Sequence, residues 1–141
     1  MRPFAIKHID HLVLRVSDLQ RSVAFYRDLL GCKVSKERTD LGMVHLATGT
    51  AMIDLVTLDG PLGRTGGAAP GVQGRNLHHF CLRIEPFDEP ALSAYLQAAG
   101  VAVEPAQVRY GAEGEGLSLY CYDPDGNQVE LKGPVPAQRG P

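Results

Sequence analysis

The sequence has no run of lysine and arginine with aromatics between them and no acidic tract, and 14 basic against 16 acidic residues leave a formal net charge of −2. That balance offers no electrostatic footprint for nucleic acid. No apolar segment approaches membrane-spanning length, and Met1 to Lys7 lead into a strand-like pattern without an apolar signal segment. A cytoplasmic protein without a membrane partner is expected. Cysteine is scarce: Cys32, Cys81 and Cys121 are scattered, odd in number and form no CxxC pair, which argues against a disulfide framework or a zinc knuckle. They are expected to be small buried hydrophobes. At 141 residues the chain is one compact unit or two small modules sharing a core, because half this length buries too little apolar surface to be secure alone.

What is present is a repetition. His11-Leu12-Val13-Leu14-Arg15-Val16 returns as His79-Phe80-Cys81-Leu82-Arg83-Ile84, and Ile53-Asp54-Leu55 returns as Val129-Glu130-Leu131. Each half carries a histidine early and a carboxylate late. A repeat this long that occurs only twice marks a pseudo-symmetric pair rather than a solenoid.

The hydrophobic period changes in the same order in both halves. His8 to Val16 alternates as a half-buried strand does. Ser17 or Asp18 then caps a helix with Leu19, Val23, Tyr26 and Leu30 on one face, and Gly31 stops it. Short apolar runs around 33–37, 43–47 and 51–58 complete a β-α-β-β-β order. In the second half, Leu77 to Glu85 reads as a strand. Asp88 caps a helix with Pro90 in its first turn and Leu92, Tyr95, Leu96 and Ala99 as its apolar face. Strands follow at Val101 to Val108, Leu117 to Tyr122 and Gln128 to Lys132, with a turn over 123–127 before the last. The organisation is therefore module 1 at 6–58, a Gly- and Pro-rich linker or lid at 59–75, module 2 at 76–133, all within one domain over 1–133, and a flexible tail at 134–141.

Residues of equal parity share a strand face, so His11, Val13 and Arg15 point one way, as do His79, Cys81 and Arg83. With Asp54 and Glu130 on the last strand of each module, two imidazoles and one or two carboxylates can meet. Borderline divalent cations such as Zn, Ni, Fe, Co or Mn accept that mixed set, and two histidines plus one carboxylate leave positions open for water or substrate. His8, His45 and His78 lack such a setting and read as structural or exposed.

On these residues the chain resembles the vicinal oxygen chelate superfamily, which includes glyoxalase I, methylmalonyl-CoA epimerase, fosfomycin-resistance enzymes, extradiol dioxygenases and metal-free bleomycin-binding proteins. The resemblance runs from Ile9 to Lys132. It is most specific in the stretch from His11 to Gly31, the His79 strand, and Tyr120-Cys-Tyr-Asp-Pro-Asp-Gly-Asn-Gln-Val-Glu130. It implies an α+β fold in which two βαβββ modules form an eight-stranded half-barrel cup with helices outside. It also implies His11, His79 and Glu130 as metal ligands, with a fourth family position at Asp54. Module 1 is most similar to glyoxalase I, which has glutamate where this chain has Asp54, so Asp54 is read as a ligand, a ligand through water, or a catalytic base. Glu130 is a second candidate for moving a proton. Arg15 and Arg83 are candidate clamps for a substrate anion, or else structural ion pairs with Asp54, Glu104 or Glu130. Tyr120 and Tyr122 are candidate hydrogen-bond donors to substrate.

The expected function is a glyoxalase-like divalent-metal enzyme, of lyase or isomerase type, acting on a small oxygenated, anionic organic molecule, in a homodimer. The alternatives are a fosfomycin-type transferase or hydrolase and a metal-free binding module. The histidine that an extradiol dioxygenase carries ahead of its tyrosine is absent around 111–116, which disfavours ring cleavage.

Overall fold

The computed structural model describes residues 1–137, so the last part of the expected tail, 138–141, lies outside the described residues. The chain divides into two compact units, Met1–Pro70 and Gly71–Pro141. The first contains β1 (His11–Val16), α1 (Leu19–Val23), β2 (Lys33–Arg38), β3 (Met43–Thr48) and β4 (Ala51–Thr57). The second contains β5 (Phe80–Arg83), α2 (Glu89–Ala98), β6 (Gln107–Gly111), β7 (Gly114–Tyr122) and β8 (Gln128–Lys132). Each is a βαβββ module, and the fold is α+β.

The two sheets have the same topology. Their orders are β1-β4-β3-β2 and β5-β8-β7-β6. In each, the first strand pairs in parallel with the last, and the other pairs are antiparallel. This crossover sets the early histidine of a module beside its late carboxylate strand. Alternation then decides which side chains are buried: Leu14 and Val16 of β1, Leu46 of β3 and Ile53 and Leu55 of β4 enter the first core. Leu119, Cys121, Val129 and Leu131, together with Leu96 of α2, are the fully or nearly fully buried apolar side chains of the second.

Both helices start and stop as their chemistry dictates. The Asp18 carboxylate accepts from the Arg21 N–H and the Asp88 carboxylate from the Ala91 N–H, which satisfies one orphan donor at each N-terminus. Gly31 and Gly100 follow the helix ends at φ of 88° and 77°, a left-handed conformation that costs a β-carbon-bearing residue more. The first helix changes pitch, however. From Ala24 to Leu29 it is a π-helix, with the Leu30 N–H bonded to the Phe25 carbonyl. The wider turn buries Phe25 beside Tyr26, their rings edge-on at 4.9 Å, while Leu19 and Leu30 of the expected apolar face are only half-buried.

Other expectations are corrected. The strand expected at Val101 to Val108 forms at Gln107–Gly111, and upstream Val103 makes an isolated bridge to Cys121. Pro105 has no N–H for a ladder, so pairing becomes regular only beyond it. β7 starts at Gly114 rather than Leu117 because Gly111 pairs with Gly114 across a two-residue turn. In α2, Leu96 is buried, Leu92 half-buried and Tyr95 exposed, so its apolar face is narrower than the spacing suggests. Cys32 and Cys121 are buried as expected, whereas Cys81 is exposed. The segment 59–75 is not structureless: Gly63–Gly66 is a 3-10 turn in which Gly63 is buried against the Thr57 carbonyl, with no room for a β-carbon.

Candidate metal centre

In the first unit, β1 turns Leu14 and Val16 inward and leaves His11 and Val13 exposed on the other face. Asp54 lies across from Val13 on one side and from His45 on the other, so these side chains and His11 share that face. The His11 Nδ1 donates to Asp10 Oδ1 at 2.7 Å, and this bond, helped by Asp54 and opposed by desolvation, raises the imidazole pKa above its ordinary value. In the neutral ring that bond places the lone pair on Nε2. The Nε2 lies 4.0 Å from Asp54 Oδ2.

Asp54 is 3% exposed. Its Oδ1 lies 2.9 Å from His45 Nδ1, yet off the line a ring N–H would need, so this buried oxygen accepts no hydrogen bond. The sequence reading left His45 without a partner, and the structure corrects this. The signal was available in the tight turn at Gly49-Thr50: pairing Thr48 with Ala51 and counting back sets His45 opposite Asp54.

The second unit repeats the arrangement with different side chains. His79 stands just before β5, and its Nε2 lies 3.2 Å from Glu130 Oε1. Its Nδ1 is 2.8 Å from His78 Nδ1, so His78 is a neighbour of the candidate site rather than an isolated surface residue. Tyr120 pairs with Glu130 as His45 pairs with Asp54, and its ring meets His79 edge-on at 5.4 Å. Cys81 pairs with Glu130 from the other side. Burial of its sulfur, although the residue as a whole is exposed, and the Glu130 carboxylate push this thiol up to about 12. It is a neutral thiol at ordinary pH.

The two arginines are engaged, but not as either expected ion pair. Arg15 donates from Nε to the Gly63 carbonyl at 2.6 Å, from Nη2 to Gly67 at 2.6 Å and from Nη1 to Ala68 at 3.2 Å. It pins the loop after β4 to β1. Arg83 binds Glu113 Oε1 and Glu85 Oε1, both at 2.7 Å, and the Ile84 carbonyl at 2.7 Å. None of Asp54, Glu104 or Glu130 is a partner of either. For Tyr122, burial first and the neighbouring Glu104 carboxylate second raise the phenol pKa above its ordinary value.

Among the described residues no group of three or more His, Cys, Asp and Glu is placed to hold a metal ion. Each unit by itself supplies a pair: an imidazole Nε2 facing a buried carboxylate, with the Nδ1 taken up by a neighbour. These donors fit a borderline divalent cation. So does the orphaned Oδ1 of Asp54, a buried anionic atom that lacks a donor.

Residues 8–131 match the profile of the Glyoxalase/Bleomycin resistance protein/Dioxygenase superfamily. The chain is 32% identical over 127 residues to virulence protein STM3117 of Salmonella typhimurium, covering 89% of this chain and 83% of that protein. It is 31% identical over 126 residues to glutathione transferase FosA of Serratia marcescens, covering 89% and 80%. The crystal structure of STM3117 superposes with a TM-score of 0.73 at 27% identity, covering 94% of this chain and 100% of that one. Members of this superfamily typically use divalent metal ions, and no helix among the described residues is long and apolar enough to cross a membrane. With two βαβββ modules and a profile match over nearly its whole length, the chain belongs to the Glyoxalase/Bleomycin resistance protein/Dioxygenase superfamily.

Proposed function

We propose that this protein is a divalent-metal enzyme that acts on a small oxygenated, anionic organic molecule by proton transfer or addition. The observation that carries the reading is the doubled pair, His11 Nε2 toward Asp54 and His79 Nε2 toward Glu130. The proposed ligands are His11, His79 and Glu130, drawn from the modules of one chain or from the two chains of a homodimer. A metal bound there supplies a Lewis acid for the oxyanion that develops on substrate.

The chain's own residues do the remaining work. Asp10 fixes the His11 ring by its bond to Nδ1. Asp54, held near His45 and 4.0 Å from His11, is the proposed base, since a buried carboxylate without a hydrogen bond on Oδ1 is poised to take a proton. Tyr120 and Tyr122 are the proposed hydrogen-bond donors to substrate, and Arg15 and Arg83 the proposed anion contacts. For either arginine that role requires an exchange of its present partners.

The identity to FosA favours a second reading within the same chemistry, addition of a nucleophile to an electrophilic substrate. A panel of glutathione hemithioacetals, epoxides and catechols, run with added Ni, Mn, Zn or Fe, separates these. We expect metal-dependent turnover of a hemithioacetal or an epoxide and none of catechols. Asp54→Ala is expected to keep its metal and lose turnover. Loss of metal instead makes Asp54 a ligand, and tight binding of panel members without turnover supports a binding module against the enzyme reading.

A further inference from the structure

We propose that β6 is a self-pairing edge, through which two copies of this chain join their second sheets into one continuous sheet across a two-fold axis at Arg109. The case begins with the backbone groups that β6 leaves over. Gly111 pairs with Gly114 across the two-residue turn 112–113, and the pair that closes such a turn exchanges both hydrogen bonds. Bonded and non-bonded pairs alternate from there. Arg109 and Gln107 therefore direct their N–H and C=O to β7, whereas Val108 and Tyr110 aim theirs at the open edge of the sheet. The far side of the hairpin agrees: the carbonyl of Leu117, which stands opposite Val108, turns the other way and accepts from the Gly133 N–H at 2.9 Å.

The side chains follow the same division. Val108, Tyr110 and Leu117 lie on the face that carries Leu119 and Leu131 into the second core, opposite the Glu130 face. Leu119 and Leu131 are buried, but Leu117 is 46%, Val108 63% and Tyr110 82% exposed, so the apolar face runs out to the edge uncovered. The equivalent edge of the first sheet, β2, is blunted twice over. It presents Lys33, Lys36, Glu37 and Arg38, and its register slips between Val34 and Lys36. Both devices discourage edge-to-edge pairing, and β6 has an unbroken register and a single charge. That charge, Arg109, is held back over its own sheet, with Cζ 4.0 Å from the Tyr120 centroid and Nη1 donating to the Ser118 carbonyl at 2.8 Å.

A second copy is the partner that this pattern matches. Placed antiparallel about Arg109, Val108 of each copy stands opposite Tyr110 of the other, and the outward N–H and C=O groups of the two strands satisfy one another. The same register makes two pairs of a β-branched residue with an aromatic one, a combination that stabilises antiparallel strands. The two Arg109 guanidinium groups at the axis are each drawn toward their own Tyr120. The exposed parts of Leu117, Val108 and Tyr110 on both copies amount to roughly 700 Å², below the about 1,200 Å² at which stable dimers begin. The contact is therefore reversible, with a Kd of roughly 10–500 µM. It lies off the face of His79 and Glu130 and needs no metal.

The test is sedimentation of the full chain in chelator from about 1 µM to about 1 mM, with melting recorded for each variant. Wild type is expected to show a reversible doubling of mass in that range. A homodimer that assembles the metal ligands would show the same step as dimer to tetramer. Val108→Pro deletes an outward N–H in each copy and leaves the β6–β7 bonds complete; it should weaken the step roughly tenfold or more. Tyr110→Lys, a charge on the bare edge, should abolish it, and Val34→Lys on β2 should leave it unchanged. A cross-link reads the register. With Cys81→Ser to remove the exposed native thiol, Arg109→Cys should form a disulfide-linked dimer in oxidised glutathione, because position 109 faces itself across the axis, and Gln107→Cys should not. No doubling by wild type, a step that survives both Val108→Pro and Tyr110→Lys, or cross-linking of Gln107→Cys as fast as that of Arg109→Cys would overturn the edge contact.

Discussion

Glu130→Gln is expected to lower divalent-metal affinity by at least about a hundredfold, beyond the ten- to hundredfold typical of losing an outer-shell partner. The substitution keeps the shape of the side chain and replaces an anionic oxygen donor by a neutral amide. Because Glu130 is 5% exposed and sits between Cys81 and Tyr120 on neighbouring strands, the amide fills the same space, and the metal-free protein should fold as before. Competition with a chromophoric chelator measures the affinity, and melting of the metal-free variant checks the fold. His79→Ala should give a comparable loss, since its Nε2 is 3.2 Å from the same carboxylate. An affinity within threefold of wild type in the Glu130 variant would show that this residue is not a ligand.

Leu131→Ala is expected to destabilise the metal-free protein by about 2–5 kcal/mol, the usual cost of a core leucine truncation. Leu131 is 2% exposed and pairs with Leu82 and Leu119, its neighbours on the two flanking strands. The cavity opens under the strand that carries Glu130, so stability and metal binding are linked through one element. A metal that binds only the folded chain should return about 2.7 kcal/mol at a free concentration a hundred times its Kd. Denaturant unfolding with and without metal reads both effects. Equal recovery in Leu131→Ala and in the double variant that also carries Glu130→Gln would contradict the linkage, because the second lacks the proposed ligand.

Much of this was legible because strands have a period of two. Parity alone placed His11 with Arg15 and His79 with Arg83, and the repeated carboxylates marked Asp54 and Glu130. The order of strands within a sheet was not legible, since the parallel pairing of β1 with β4 depends on a crossover that no local pattern encodes. His45 was missed for a related reason. Its importance arises from the residue opposite it, and register shows only once the turn at Gly49-Thr50 is recognised as tight.

Arg15 illustrates a second kind of blindness. Its partners are the carbonyls of Gly63, Gly67 and Ala68, and backbone acceptors leave no trace in residue type. Lys132 illustrates a third. A lysine at the end of a strand ordinarily reads as a solvated charge, and only the two glycines of the β6–β7 hairpin, Gly111 and Gly116, let it lie flat. The strand misplaced at Val101 to Val108 was an error of a simpler sort, in which apolar content outweighed the missing N–H of Pro105.

The central proposal is that the protein holds a divalent cation through His11, His79 and Glu130, whether these come from one chain or from two, and elemental analysis of protein purified without chelators tests it most directly. About one equivalent of Zn, Ni, Mn, Fe or Co per chain is expected, a set defined by imidazole and carboxylate donors, and Glu130→Gln prepared in parallel should carry almost none. Less than about half an equivalent in the wild type, with no gain on adding any of these metals, would contradict it.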